Sequence, residues 1–140
     1  MHSMRICSIA GMLMCQLTAA TVPGSSGASA QTQIQTLAIK NGESVPVHPI
    51  YWTVNCRSTM IGLPEIEILE GPPALALTIK QDMVLPRAQN CAAKVPGGTL
   101  IATATNVAER TEAKLTYRIK YKTRDGDRQT ARTYNLVLFP

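Results

Sequence analysis

The sequence predicts an all-β fold, an antiparallel β-sandwich of about seven short strands. Apolar and polar residues alternate with a period of two in short segments that turn residues separate. No window shows convincing helical periodicity. The core-forming residues are mostly Val, Ile, Leu and Ala, since the chain has one Trp, one Phe and four Tyr. Aliphatic alternation of this kind favours sheet over helix.

The first two predicted strands flank an Asn-Gly turn. Residues 34–40 alternate between apolar and polar and end at residues 41–42, whose Asn-Gly pair is a turn signal. Pro46 and Pro49 confine the next segment to a sheet edge or a kink. We therefore place the second strand after them, over residues 50–57.

The middle of the chain supplies two strands and a long connection. Residues 64–70 form a half-exposed strand, with two isoleucines on one face and three glutamates on the other. Residues 75–80 form the next strand, and a connection over residues 81–98 follows. A connection of this length is either tied down or a binding loop, and a disulfide through Cys91 would tie it down.

The last forty residues are the most regular. Strands are predicted over residues 99–107, 113–123 and 128–139, and an Asp-Gly turn in residues 124–127 predicts a hairpin between the last two. The side chains expected to face the core are those of Leu115, Tyr117, Ile119, Tyr121, Tyr134, Leu136 and Leu138.

This closing hairpin resembles the last two strands of immunoglobulin-like and fibronectin-like sandwiches. The segments 51–58 and 85–91 are in turn similar to small exported bacterial proteins without an assigned function. The resemblance implies an immunoglobulin-like sandwich and a periplasmic or secreted product, and it brings no catalytic or binding residues with it. The cysteines are closer in sequence than in immunoglobulin domains and Trp52 precedes the first of them, so we expect a non-standard disulfide.

The first thirty residues read as a cleaved signal peptide. Arg5 precedes an apolar run over residues 6–17, which is too short to span a bilayer of ~30 Å as a helix. Residues 28–30 are Ala-Ser-Ala, whose small side chains suit signal peptidase. We expect cleavage before Gln31, with a cut after residue 19 or 20 as the alternative.

Cleavage would leave residues 31–140 as one domain without a transmembrane segment. About 110 residues suit a single core. Cys56 and Cys91 are then the remaining cysteines, and an even count in an oxidising compartment predicts a disulfide. His48 would be the remaining histidine, which is too few ligands for a metal site, and no cofactor motif is present.

Catalytic residues are not predicted. His48 is expected to be exposed and without a fixed partner, and neither Ser44 nor Ser58 lies in a nucleophile elbow. Glu65 and Glu67 are expected ~7 Å apart on one strand face, a spacing compatible with a carboxylate pair. Without a cluster of sugar-stacking aromatic residues, we interpret these glutamates as a solvated face.

A basic face on the closing hairpin is the candidate anion-binding site. It could attract an envelope protein or another anionic surface, or it could protect an exposed strand from pairing with other chains. Nucleic acid is disfavoured, because no exposed aromatic residues accompany the cations to stack bases. The seven cationic residues are Lys114, Arg118, Lys120, Lys122, Arg124, Arg128 and Arg132.

The favoured function is an exported, non-enzymatic binding or interaction module. One alternative is a small secreted hydrolase or enzyme inhibitor, which would need Glu65 or Glu67 to meet His48 in a cleft. The other is a subunit of a surface assembly, with residues 31–40 as an exposed donor strand.

Overall fold

The computed structural model describes residues 33–87 and 90–140, and within them it contains nine β-strands and no helix. The all-β prediction is therefore confirmed for this part of the chain. The predicted signal peptide at residues 1–30 and its cleavage site lie outside the described residues. The strands are β1 Thr36–Lys40, β2 Ser44–Ile50, β3 Thr53–Val54, β4 Arg57–Ser58, β5 Glu65–Glu70, β6 Leu75–Val84, β7 Val95–Ala104, β8 Thr111–Thr123 and β9 Gly126–Phe139.

The strands form two main sheets that share a core. One sheet has the order β1-β9-β8-β5 and the other the order β2-β7-β6, while β3 and β4 make a small separate ribbon. The core side chains come from both main sheets, which gives a two-layer, sandwich-like arrangement. The fully buried members include Ile39, Ile50, Leu100, Leu115, Tyr117, Ile119, Leu136 and Leu138.

The expectation of a purely antiparallel sandwich is wrong at one edge. β1 runs parallel to β9, with Thr36 opposite Asn135 and Lys40 opposite Phe139. The chain then turns at Gly42, which has a φ of 77°, and continues into the other sheet as β2. Because the two strands that flank this turn belong to different sheets, β1 takes its partner from the end of the chain.

The second strand lies earlier than expected. β2 contains both prolines, which the sheet tolerates because β2 is an edge strand paired only with β7 and irregular between Pro46 and His48. Residues 50–57 do not form one strand. They lead instead into the β3–β4 ribbon, whose turn residues Asn55 and Cys56 have φ values of 50° and 60°.

The long connection is shorter than predicted, because β6 continues to Val84 and β7 begins at Val95. Sequence alternation missed these ends, since Pro96, Gly97 and Gly98 read as a loop. The predicted disulfide is confirmed: Cys56 bonds to Cys91, with their Cα atoms 5.5 Å apart. The bond joins the turn of the β3–β4 ribbon to the remaining connection over residues 85–94.

The predicted closing hairpin is confirmed, although β8 and β9 each begin two residues earlier than expected, at Thr111 and Gly126. The four residues of β8 expected to face the core are buried, and so are Tyr134, Leu136 and Leu138 of β9. Thr123 pairs with Gly126, whose φ of 109° supplies the conformation that the Asp-Gly signal anticipated. The Thr123 hydroxyl donates to the Gly126 carbonyl at 2.7 Å and fixes the turn.

Candidate functional site

The seven cationic residues do not share one face. The register pairs Tyr117 with Arg132 and Tyr121 with Arg128, so these two arginines follow the core-facing side of the sheet. Arg124 lies in the turn. The remaining four line the outer face of β8, namely Lys114, Arg118, Lys120 and Lys122.

The outer cations of β8 are partly neutralised by β5. Nε and Nη2 of Arg118 donate to Oε2 of Glu67 at 3.1 and 2.9 Å, and Nζ of Lys120 lies 3.1 Å from the same oxygen. Hydrogen bonds from Lys120 and then Arg118 lower the pKa of the Glu67 carboxyl. Glu67 is thus ionised at neutral pH and is the counterion of this face.

Edge protection does not explain the outer cations, because β8 lies between β9 and β5 inside its sheet. It fits Arg128 and Arg132 better. β1 pairs with β9 only from Asn135 onward, which leaves the edge of β9 before that residue without a strand partner in the described chain.

A groove lies at the turn end of the four-stranded sheet, and we call it the hairpin-end groove. The segment over residues 59–64 builds its wall: the Ile61 N–H donates to the Lys122 carbonyl at 2.8 Å and the Arg124 N–H to the Thr59 carbonyl at 3.0 Å. The groove has a volume of about 630 Å³. Its lining residues are Ile61, Leu63, Glu65, Lys120, Tyr121, Lys122, Asp127, Arg128 and Gln129.

The aliphatic side of this groove was missed by sequence analysis. Ile61 and Leu63 are 58% and 46% exposed, an unusual placement for two aliphatic side chains so close together. They flank Gly62, whose φ of 72° marks a turn. The available signal was a short apolar and glycine-containing segment just before Pro64, which by itself reads as an ordinary loop.

His48 is neither fully exposed nor without a partner, which corrects the expectation from sequence. Its Nδ1–H donates to the Pro49 carbonyl at 3.0 Å, so Nε2 is left to accept the hydrogen bond from the Tyr117 hydroxyl at 2.7 Å. Irregular pairing after Pro46 brings His48 opposite core residue Leu100, and the ring stacks on Tyr117. These contacts hold the neutral imidazole between the two sheets.

The carboxylate and imidazole groups that a hydrolase would need are not brought together. Glu65 and Glu67 do share one face, as expected, because they pair with Lys120 and Arg118 on the outer side of the sheet. His48 contacts Tyr117 on the core-facing side. The body of the sheet therefore separates the glutamates from the histidine.

The burial of His48 predicts a pH dependence of stability. Burial, reinforced by the charge of Arg132 and opposed by the hydrogen bond to Pro49, lowers the pKa of His48 below 6.5. The unfolded chain then binds more protons, so the free energy of unfolding falls as the pH drops below about 6.5. We expect the thermal midpoint to decrease between about pH 7.5 and about pH 5.5, and His48→Gln to flatten that decrease. Circular dichroism measures the thermal midpoint at each pH. The same dependence on pH in the unaltered protein and in His48→Gln would contradict this assignment.

Comparison of the chain with protein-family models, with curated proteins and with solved structures finds no match. Over residues 33–87 and 90–140, no helix is long and apolar enough to cross a membrane. The same residues contain no group of three or more His, Cys, Asp or Glu side chains arranged to hold a metal ion. The candidate binding sites on the described residues are the groove, the charged outer face of β8 and the space around His48.

Proposed function

We propose that the protein is an exported binding module built on an immunoglobulin-like sandwich. Lettering β2, β5, β6, β7, β8 and β9 as strands B to G gives the sheet orders B-E-D and C-F-G, with β1 added in parallel on G. These orders match the immunoglobulin arrangement. The Cys56–Cys91 disulfide and the signal-like leader support a periplasmic or secreted location, since such bonds persist in oxidising compartments.

The module is non-enzymatic, and it binds an acidic, partly apolar protein segment in the hairpin-end groove. The observation that carries this proposal is the juxtaposition of exposed Ile61 and Leu63 with the outer-face cation Lys122. An apolar wall next to basic side chains suits a peptide in which acidic and aliphatic residues alternate. An envelope protein is the natural source of such a segment for an exported domain.

The charge balance of the groove favours a peptide over a polyanion. Its three cations are accompanied by Glu65 and Asp127, and Lys120 is already shared with Glu67. Within the described chain, Lys122 forms no salt bridge and is free for a ligand, whereas Arg128 is opposite Tyr121 on the core-facing side of the sheet. One free cation gives a weak field for a polymer, but it can fix a carboxylate beside an apolar contact.

The test uses a synthetic peptide of alternating Glu and Leu and the variant Lys122→Glu. We expect the purified protein to bind the peptide and the variant to bind it at least about fivefold more weakly, because an attractive charge becomes repulsive. Calorimetric titration measures both affinities. The variant should keep the thermal midpoint nearly unchanged, since the Lys122 side chain is exposed.

Lys80→Glu is the matched control, because it changes the net charge equally at an exposed position away from the groove. Its peptide affinity should equal that of the unaltered protein. If the groove variant and the control variant bind the peptide equally weakly, the affinity depends on net charge alone and the proposal is refuted. Stronger binding of poly-glutamate than of the alternating peptide would also refute it.

Neither alternative function gains a supporting observation. An enzyme built from Glu65 or Glu67 and His48 is disfavoured by their positions on opposite sides of the sheet. A donor-strand assembly is disfavoured because Thr36–Lys40 already pairs with β9 of the same chain.

A further inference from the structure

A second concave site, separate from the proposed function, lies between the edges of the two sheets. It has a volume of about 210 Å³, and we call it the aromatic cleft. β2 forms one side with His48 and Pro49, and the uncovered part of β9 forms the other with Thr130 and Arg132. This stretch of β9 precedes Asn135, where the pairing with β1 begins.

Two aromatic rings give the cleft an apolar wall. The rings of Trp52 and Tyr121 are 5.2 Å apart between centroids and tilted by 52°. Tyr121 is almost fully buried at 5% exposure, whereas Trp52 is only partly covered. A partly covered indole next to a fixed ring offers a flat apolar surface for a small ligand.

Arg132 is the charged group of the cleft. Among the residues that the structure describes, no carboxylate lies within ion-pair distance of its guanidinium. The charge of Arg132 acts on the neighbouring groups: burial is the main cause of the lowered pKa of His48 and Arg132 adds to it, whereas burial raises the pKa of Tyr121 and Arg132 opposes that rise. An arginine without a counterion beside aromatic walls is available to a ligand anion.

His48 closes the inner side of the cleft without competing for that anion. Both of its ring nitrogens are occupied, one by the Pro49 carbonyl and the other by the Tyr117 hydroxyl. Arg132 is thus the cation available to an anionic ligand, and Tyr51 and Thr130 line the cleft beside it. A carboxylate suits the planar guanidinium of Arg132, because two parallel hydrogen bonds can form.

From this arrangement we infer that the aromatic cleft binds a carboxylate carried on a small apolar group. The carboxylate pairs with Arg132, and the apolar part lies against Trp52 and Tyr121. An apolar cavity of ~150 Å³ is enough for benzene, so this cleft has room for a ring and its carboxylate. It is too small for a nucleotide or an oligosaccharide, whose sites occupy several hundred cubic ångströms.

The carboxylate could come from a free small acid or from the last residue of a polypeptide. Both present one anionic group next to an apolar side chain. Three probes separate them: benzoate, the tripeptide Gly-Gly-Phe with a free carboxylate, and the same tripeptide as its amide. Tighter binding of the free tripeptide than of benzoate assigns a chain terminus, and the reverse order assigns a free acid.

Two single-residue signals report binding by nuclear magnetic resonance. Trp52 is the one tryptophan of the chain, and His48 is one of two histidines, so a His2→Gln background leaves a single imidazole. We expect benzoate to shift the Trp52 indole signal and to raise the pKa of His48, because the bound carboxylate cancels the charge of Arg132. Benzamide, which has the same ring without the charge, should leave that pKa unchanged.

The variant Arg132→Gln should bind benzoate at least about tenfold more weakly. The control Arg110→Gln removes the same charge from an exposed arginine outside the cleft and should bind it normally. Three results would overturn the inference: unchanged Trp52 and His48 signals with both benzoate and the free tripeptide, equal affinity of the tighter-binding acid for Arg132→Gln and for the unaltered protein, or equal binding of that acid and its own amide.

Discussion

Replacing Cys56 and Cys91 together by alanine is expected to lower the free energy of unfolding by about 3 to 4 kcal/mol. The bond closes a loop with a sequence separation of 35, and releasing it restores conformational freedom to the unfolded chain. The bond also ties Cys91 to the turn of the β3–β4 ribbon. Urea unfolding followed by circular dichroism measures the difference.

A reducing agent provides the control for this variant. It should bring the unaltered protein to the stability of the double variant and leave the variant itself unchanged. A loss below about 1 kcal/mol, or an equal effect of reduction on both proteins, would show that the disulfide is not a main source of stability.

Gly97→Ala is expected to cost about 3 kcal/mol or to prevent folding, because β7 is the central strand of its sheet. A Cβ atom at this position would overlap the carbonyl oxygen of Ile50 and lie 2.8 Å from Cγ2 of Val84. The Ile50 oxygen belongs to the backbone of the neighbouring chain segment and cannot move away without breaking strand contacts. Thermal unfolding gives the measured loss.

Gly71→Ala is the matched control. A Cβ there would lie 3.3 Å from Cδ1 of Leu115 and 3.4 Å from Cγ2 of Ile68, which are side-chain ends able to adjust. We expect a change within about 1 kcal/mol. Equal stability of the Gly97 and Gly71 variants would contradict the close packing of β7 against its neighbours.

The elements that the sequence predicted well are those with local causes. The closing hairpin depends on alternation and one turn glycine, and both lie within a continuous stretch of chain. The extended β6 and β7 depend on distant contacts instead. Gly97 and Gly98 read as a loop in sequence, but they are needed where neighbouring backbone approaches β7 closely.

The pairing register of β8 and β9 determines which cationic residues share a face, and sequence alternation within each strand does not. Because Thr123 pairs with Gly126, even-numbered residues of β8 lie opposite odd-numbered residues of β9. Arg128 and Arg132 therefore belong with the buried tyrosines and not with Lys120 and Lys122. The position of the predicted turn already implied which residues of the two strands lie opposite each other. The hydrogen bond between His48 and Tyr117 did not follow from sequence, since it joins residues of different sheets.

The measurement that tests the proposed function most directly is an amide chemical-shift map of the labelled protein with the alternating Glu-Leu peptide at physiological salt. We expect the shifts to concentrate in residues 59–64, 120–122 and 127–129, which surround the hairpin-end groove. A map without significant shifts, or one centred on residues 85–94, would contradict the assignment of the groove as the binding site.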